Sequence, residues 1–162
     1  MAGPDAVAVR IIATLAARGQ SLATAESLTG GLIGAALTAV PGASAAYLGG
    51  VVAYATPQKA RLAGVPSAVL DTHGPVSAQT ALALAAGVRD ATGADWAIAA
   101  TGVAGPDPQD GHAPGEVWLG VVGPDAPAQA VRNDFTGDRS AIRQASVAAA
   151  LQLLADRLGN VG

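Results

Sequence analysis

Cysteine is absent from the 162-residue chain, so neither disulfides nor thiolate chemistry is available, and no redox compartment can be read from it. Aromatic residues make up only 3% of the sequence. A core must therefore be built from Ala, Val, Leu and Ile, whose small side chains let helices approach a sheet closely. Basic residues number nine against twelve acidic, for a formal charge of -3. Without clustered Lys and Arg, no nucleic-acid partner is expected, although a local basic pocket for one anionic ligand remains compatible. The N-terminal Met1-Ala2-Gly3-Pro4-Asp5 lacks a basic segment followed by an apolar one and does not read as a signal peptide. Charge is missing altogether between Glu26 and Lys59. Pro41-Gly42 and Gly49-Gly50 interrupt that stretch before it reaches the about 20 apolar residues of a membrane span. It reads as a buried helix, a turn and a buried strand in a soluble, cytoplasmic protein that engages no membrane.

What is present suits one domain, residues 1–162. Val7, Ile11 and Leu15 recur at helical spacing, and Gly19 ends that helix. Ser21 to Ala25 predicts a short strand entering a core. Leu28 to Val40 predicts a second helix, apolar nearly all round and hence buried. Tyr47 to Tyr54 predicts a strand, and Pro57 opens a short helix through Leu62. Ser77 is placed to cap a helix running to about Ala91. Asp95 to Ala100 predicts a buried strand, followed by a Gly/Pro/Asp loop to Gly115. Glu116–Val122 and Ala128–Phe135 predict two strands around the hairpin signal Gly123-Pro124-Asp125. Asp138 caps a last helix with Ile142, Ala145, Ala149 and Leu153 facing inward. Alternating helices and strands, ending in a hairpin, imply an α/β fold: a three-layer α/β/α domain with a mixed central sheet.

Ser27 lies where a strand ends and a helix begins, followed by Thr29-Gly30-Gly31. A hydroxyl there would face the unpaired N–H groups of a helix N-terminus, which suits a nucleophile with an oxyanion site beside it; a plain N-cap suits the pattern too. The G-x-S-x-G elbow is absent. Lys59 is the single lysine among nine basic residues. A partly buried lysine can lose its proton and act as a base, as arginine cannot, which fits a Ser-Lys pair; a stray solvated lysine is the alternative. Tyr54, five residues earlier, could hydrogen-bond that amine or be a rim aromatic. His73 is placed in a turn before Ser77, and His112 in a polar loop. Thr101-Gly102-Val103-Ala104-Gly105-Pro106-Asp107 follows a buried strand, where the ligands of α/β sheets collect, but it is neither a Walker loop nor G-x-G-x-x-G. Asp107, Asp110, His112 and Glu116 have no metal-loop spacing. Arg139 and Arg143, four apart at a helix start, suit a phosphate clamp or pairing with Asp134 and Asp138 on a solvated face.

Taken in order, Ala25-Glu26-Ser27-Leu28-Thr29-Gly30-Gly31, Tyr54, Lys59, Thr101-Gly102-Val103-Ala104-Gly105-Pro106, Gly115-Glu116-Val117-Trp118 and Gly137-Asp138-Arg139 resemble CinA C-terminal domains. The resemblance runs from about residue 5 to residue 158. It implies an amidohydrolase of the PncC type, which converts nicotinamide mononucleotide to nicotinic acid mononucleotide and ammonia. In that reading Ser27 attacks the carboxamide carbon, Lys59 is its base and Tyr54 supports the proton transfer. Thr29, Gly30, Gly31, Thr101, Gly102, Ala104 and Gly105 would line the substrate site, and we add Arg139 as the phosphate contact. The resemblance requires no metal or organic cofactor, and the partner is a pyridine mononucleotide. A homodimer suits a small enzyme domain with this much apolar content. Many family members carry Cys where this chain has Leu28, a position expected to be structural. The N-terminal domain of longer CinA proteins, which resembles molybdopterin-binding proteins, is missing from the sequence, so its pyrophosphatase activity is not assigned. The competing expectation is a non-catalytic nucleotide- or partner-binding module of the competence/damage-inducible CinA type.

Overall fold

Along β1 (Leu22–Glu26), Leu22, Thr24 and Glu26 alternate with Ala23 and Ala25, and a strand sends alternate side chains to opposite faces. That division runs through the sheet. The computed structural model describes residues 3, 5–124 and 126–159; Asp125 of the hairpin signal and most of the N-terminal stretch lie outside the described residues. In chain order these contain α1 (Ala6–Arg18), β1, α2 (Leu32–Thr38), β2 (Tyr47–Val52), α3 (Thr56–Ala63), α4 (Ser67–His73), α5 (Ala78–Thr92), β3 (Trp96–Gly102), β4 (Glu116–Gly123), β5 (Ala126–Asp134) and α6 (Arg139–Gly159).

The sheet order is β2-β1-β3-β4-β5, with β2, β1 and β3 parallel and β4 and β5 antiparallel to their neighbours. The expected α/β/α domain with a mixed sheet is therefore present. One face carries the bulk: Leu22, Trp96, Ile98, Val117, Leu119 and Val121 pack against α1, α2 and α6. The other carries Ala23, Ala25, Ala97 and Ala99 beneath α3 and α5. On this face backbone meets backbone. A Cβ on Gly87 of α5 would overlap the Ala63 carbonyl of α3, and one on Gly120 of β4 would overlap the Ala81 carbonyl of α5.

Several expectations shift. The helix expected from Leu28 starts only at Leu32, because Gly30 and Gly31 adopt φ of 58° and 102°, values that end any helical run. Nor is it buried all round: Ile33 and Leu37 point inward while Ala35 and Thr38 are exposed. The strand expected to be buried, β2, stops at Val52 and forms the sheet edge, leaving Leu48 and Val52 exposed. α4, which contributes no buried residue, was not anticipated, and His73 closes that helix rather than forming a turn. In α6 Ile142 faces inward as expected, but the buried face continues through Ser146, Ala150, Leu151, Leu154 and Leu158, with Ala149 and Leu153 packed at its margin and Ala145 outside it. Ser146 can sit inward because its hydroxyl donates to the Ile142 carbonyl (2.7 Å). Asp138 caps α6 as expected, its Oδ1 accepting from Ala141 N–H at 2.8 Å, and Ser77 caps α5 by accepting from Thr80 N–H at 3.1 Å. No helix among the described residues is long and apolar enough to cross a membrane.

Candidate active site

From β1 the chain leaves through α2 to β2 on one side and returns through α3, α4 and α5 to β3 on the other. The carboxyl end of β1 is thus a switch point, where two connections diverge and leave a crevice. Ser27 is the next residue. Its N–H donates to the Ala100 carbonyl of β3 (3.0 Å), and Ala53 N–H donates to the Glu26 carbonyl (2.8 Å), so the backbone there is gripped from both neighbouring strands. Alternation turns Glu26 toward α2 and Ser27 toward the face covered by α3 and α5.

The helix N-terminus expected beside Ser27 is occupied from within. The Glu26 carboxylate, buried under the sheet, accepts from the N–H groups of Gly31 (3.2 Å), Ile33 (2.9 Å) and Gly34 (3.0 Å). These donors are spent on Glu26. The N–H groups of Leu28 and Thr29 make no hydrogen bond among the described residues.

Lys59 comes from α3, which Thr56-Pro57 opens and which the tight α3–α5 crossing holds down on the sheet. Only 2% of the residue is exposed, and its Nζ donates to Ser27 Oγ at 3.0 Å. The same nitrogen donates to the carbonyls of Ala53 (3.0 Å) and Tyr54 (3.3 Å). None of the ion pairs among the described residues involves it. Burial without a counter-charge disfavours the ammonium and lowers its pKa from 10.5 to about 8. Sequence reasoning expected this Ser–Lys pair, and the fold brings it together.

The Tyr54 side chain is placed otherwise. Its residue is 59% exposed, and its hydroxyl accepts from Arg139 Nη2 at 3.0 Å; only its backbone carbonyl reaches Lys59. Arg139 Nη1 also donates to the Gly105 carbonyl (2.7 Å). These contacts form one rim of a cavity of about 410 Å³ above Ser27 and Lys59. Thr101, Gly102, Ala104 and Gly105 line it as expected, joined by Pro75, Val76 and Asp107. Thr101 also ties the end of β3 to the start of α5, its hydroxyl donating to the Pro75 carbonyl. Thr29, Gly30 and Gly31 are not among the lining residues. Thr29 is buried with its hydroxyl unpartnered among the described residues, and the glycines shape the turn.

Arg143 does not share the rim. Its Nε donates to the Leu28 carbonyl (2.9 Å) and its Nη2 to that of Thr29 (3.4 Å). Neither arginine pairs with Asp134 or Asp138; Asp134 meets Arg132 instead. His112 and Glu116 pair through Nδ1 and Oε2 at 2.8 Å, and Glu116 also meets Arg132 of β5 at 3.3 Å, so the end of that loop is tied to the β4–β5 hairpin. Among the described residues no group of three His, Asp or Glu is arranged to hold a metal ion.

The CinA C-terminal domain family matches residues 4–158. The chain belongs to that family. A CinA-like protein of Frankia casuarinae is 48% identical over 145 residues, covering 89% of this chain and 33% of its own length. A CinA-like protein of Parasynechococcus marenigrum is 46% identical over 156 residues, covering 95% and 37%. The chain thus spans about a third of the length of the curated relatives it matches. Solved structures match end to end. A competence-damaged protein (CinA) superfamily member from Klebsiella pneumoniae has a TM-score of 0.90 at 35% identity, covering 95% of this chain and 96% of that one. A competence/damage inducible protein from Agrobacterium tumefaciens has a TM-score of 0.91 at 35% identity, covering 98% and 99%.

Two functional groups escaped sequence reasoning. In the sequence Glu26 stands only as part of a motif; its signal is an acid ending a buried strand, followed by a helix start with no capping side chain. Pro75 and Val76 carried no signal, because only the docking of α5 brings them to the cavity.

Proposed function

We propose that this CinA-family chain is a Ser-Lys amidase that hydrolyses the carboxamide of nicotinamide mononucleotide to nicotinic acid mononucleotide and ammonia. The observation carrying this reading is the 3.0 Å contact between the buried, uncompensated amine of Lys59 and Ser27 Oγ at the floor of a cavity. A neutral amine has two N–H bonds and one lone pair. With the Ala53 and Tyr54 carbonyls accepting the two hydrogens, the lone pair is left for the Ser27 hydroxyl.

In this mechanism Ser27 Oγ attacks the carboxamide carbon while its proton passes to Lys59 Nζ. The C–N bond then breaks, Lys59 returns the proton to the departing nitrogen, and ammonia leaves an acyl ester on Ser27. Water attacks that ester with Lys59 again taking a proton, releasing the acid and the serine. The unengaged N–H of Leu28, which lines the cavity beside the nucleophile, is the donor for the oxyanion. Arg139, with Tyr54 bracing it, receives the phosphate at the rim. The steps use no metal or organic cofactor.

The test is ammonia release from nicotinamide mononucleotide with EDTA present. Turnover by the wild type, lost in Ser27→Ala, is expected. Tight binding without turnover would replace this reading with a non-catalytic nucleotide-binding module, and turnover of another carboxamide alone would change the substrate.

A further inference from the structure

The turn from Ser27 to Gly31 must hold the nucleophile still, yet its own backbone supplies little order. Within it Gly30 N–H donates to the Ser27 carbonyl (3.0 Å) and Leu32 N–H to that of Thr29 (3.0 Å), and two glycines with positive φ add no side-chain packing. Two charged side chains supply the rest, from opposite directions. The Glu26 carboxylate gathers the N–H groups of Gly31, Ile33 and Gly34, and the Arg143 guanidinium gathers the carbonyls of Leu28 and Thr29.

We propose that Glu26 and Arg143 are positioning residues that fix the Ser27 turn in its attacking geometry, one through its amide side and the other through its carbonyl side. This rests on the amidase reading of the same site. Glu26 faces the layer opposite Ser27, and Arg143 lies outside the cavity lining, so neither touches substrate. The N-cap of α2 is Gly31, which has no side chain to offer, and the acceptor comes from the residue directly before the nucleophile. The start of α2 is thereby tied to the end of β1 across the turn that carries Ser27. A buried carboxylate is costly unless its lone pairs are met, and three N–H donors at the positive end of a helix meet them. The brace also sets where the free N–H groups of Leu28 and Thr29 stand relative to Ser27 Oγ. Substrate binding is carried by the loop after β3 and by Arg139, which shares α6 with Arg143 but, unlike it, lines the cavity.

The experiment compares wild type with Glu26→Gln and Arg143→Gln, with Arg143→Lys as the conservative variant. In Glu26→Gln an amide NH₂ would oppose a backbone N–H that the carboxylate accepted. For each protein we would measure kcat and KM for ammonia release, the pH profile, the melting temperature, and the rate at which a fluorophosphonate labels Ser27. Both kcat and the labelling rate should fall about 10- to 100-fold, the scale of an ångström misplacement, with KM unchanged. The pH midpoint near 8 should persist because Lys59 is untouched, and Arg143→Lys should recover part of the loss. Should Glu26→Gln not fold, Arg143→Gln on the outside of α6 carries the test. Variants that lose stability but keep wild-type kcat and labelling overturn the proposal, as does a rise in KM with kcat intact. A wild type that is labelled at Ser27 but releases no ammonia would sink the amidase reading while leaving the brace measurable through labelling. A wild type neither labelled nor active would sink both.

Discussion

Lys59 Nζ stands 3.0 Å from Ser27 Oγ although the residues lie 32 positions apart, on different elements. What joins them is the sheet. β1 ends at Glu26, the chain leaving β2 turns into α3, and the parallel pairing of the two strands places both ends at the same edge. In the proposed mechanism the amine gives up its proton more readily because it is buried, not because a charge stands beside it.

Ser27→Ala should abolish ammonia release, and Lys59→Arg should nearly do so. A lost general base costs about 10²- to 10⁴-fold in kcat. Both variants should show wild-type far-UV circular dichroism. Full activity in either would refute the Ser-Lys mechanism.

Activity should rise with pH through about 8 and then level off, because the neutral form of Lys59 is the base. Stability should follow with a defined sign. Between about 8 and 10.5 the unfolded chain holds a proton that folded Lys59 has released, so stability rises with pH there. The slope is at most about 1.4 kcal/mol per pH unit. Tyr47 opposes this at higher pH. Burial raises its pKa above 10.0, so beyond that point the folded chain keeps a proton the unfolded chain loses, and stability falls. Urea titrations across this range should show a maximum near pH 10. Lys59→Met should remove the rise and leave the fall.

Arg139→Gln should raise KM for the mononucleotide about 10- to 100-fold, the worth of a charge-assisted contact to phosphate, and leave the phosphate-free riboside nearly unaffected. Tyr54→Phe should act through KM as well, since its hydroxyl meets Arg139 and not Lys59. A large loss of kcat in Tyr54→Phe would return the phenol to proton transfer.

Gly87→Ala should destabilise the protein by about 1–3 kcal/mol despite the higher helix propensity of alanine, because the new Cβ would overlap the Ala63 carbonyl. The strain falls on the end of α3, so kcat should drop with the melting temperature.

Much of this was legible in the sequence where one strong physical signal acted locally. Gly19, Pro57, Ser77 and Asp138 marked helix ends through φ preference or side-chain capping, and the structure uses all four. The Ser27–Lys59 pair was legible because a lone lysine in an arginine-using chain is a chemical anomaly. Properties set by neighbours were not. The strand Tyr47–Val52 looked buried because it is apolar, but its place at the edge depends on strand order. The Tyr54 phenol could not be placed from spacing, because its partner lies 85 residues away. The acceptance of three amides by Glu26 likewise required knowing that Gly30 and Gly31 delay α2.

The uneven sheet implies an uneven tolerance of change. Beneath α1, α2 and α6 the contacts are side chain to side chain, so one aliphatic residue can be exchanged for another with local repacking. Beneath α3 and α5 the contacts are main chain to main chain at Gly87 and Gly120, where a single methyl group already has nowhere to go. Drift in sequence should therefore accumulate on the first layer, while the layer that carries Lys59 stays locked, and the spacing of the dyad is inherited from atoms that every residue shares.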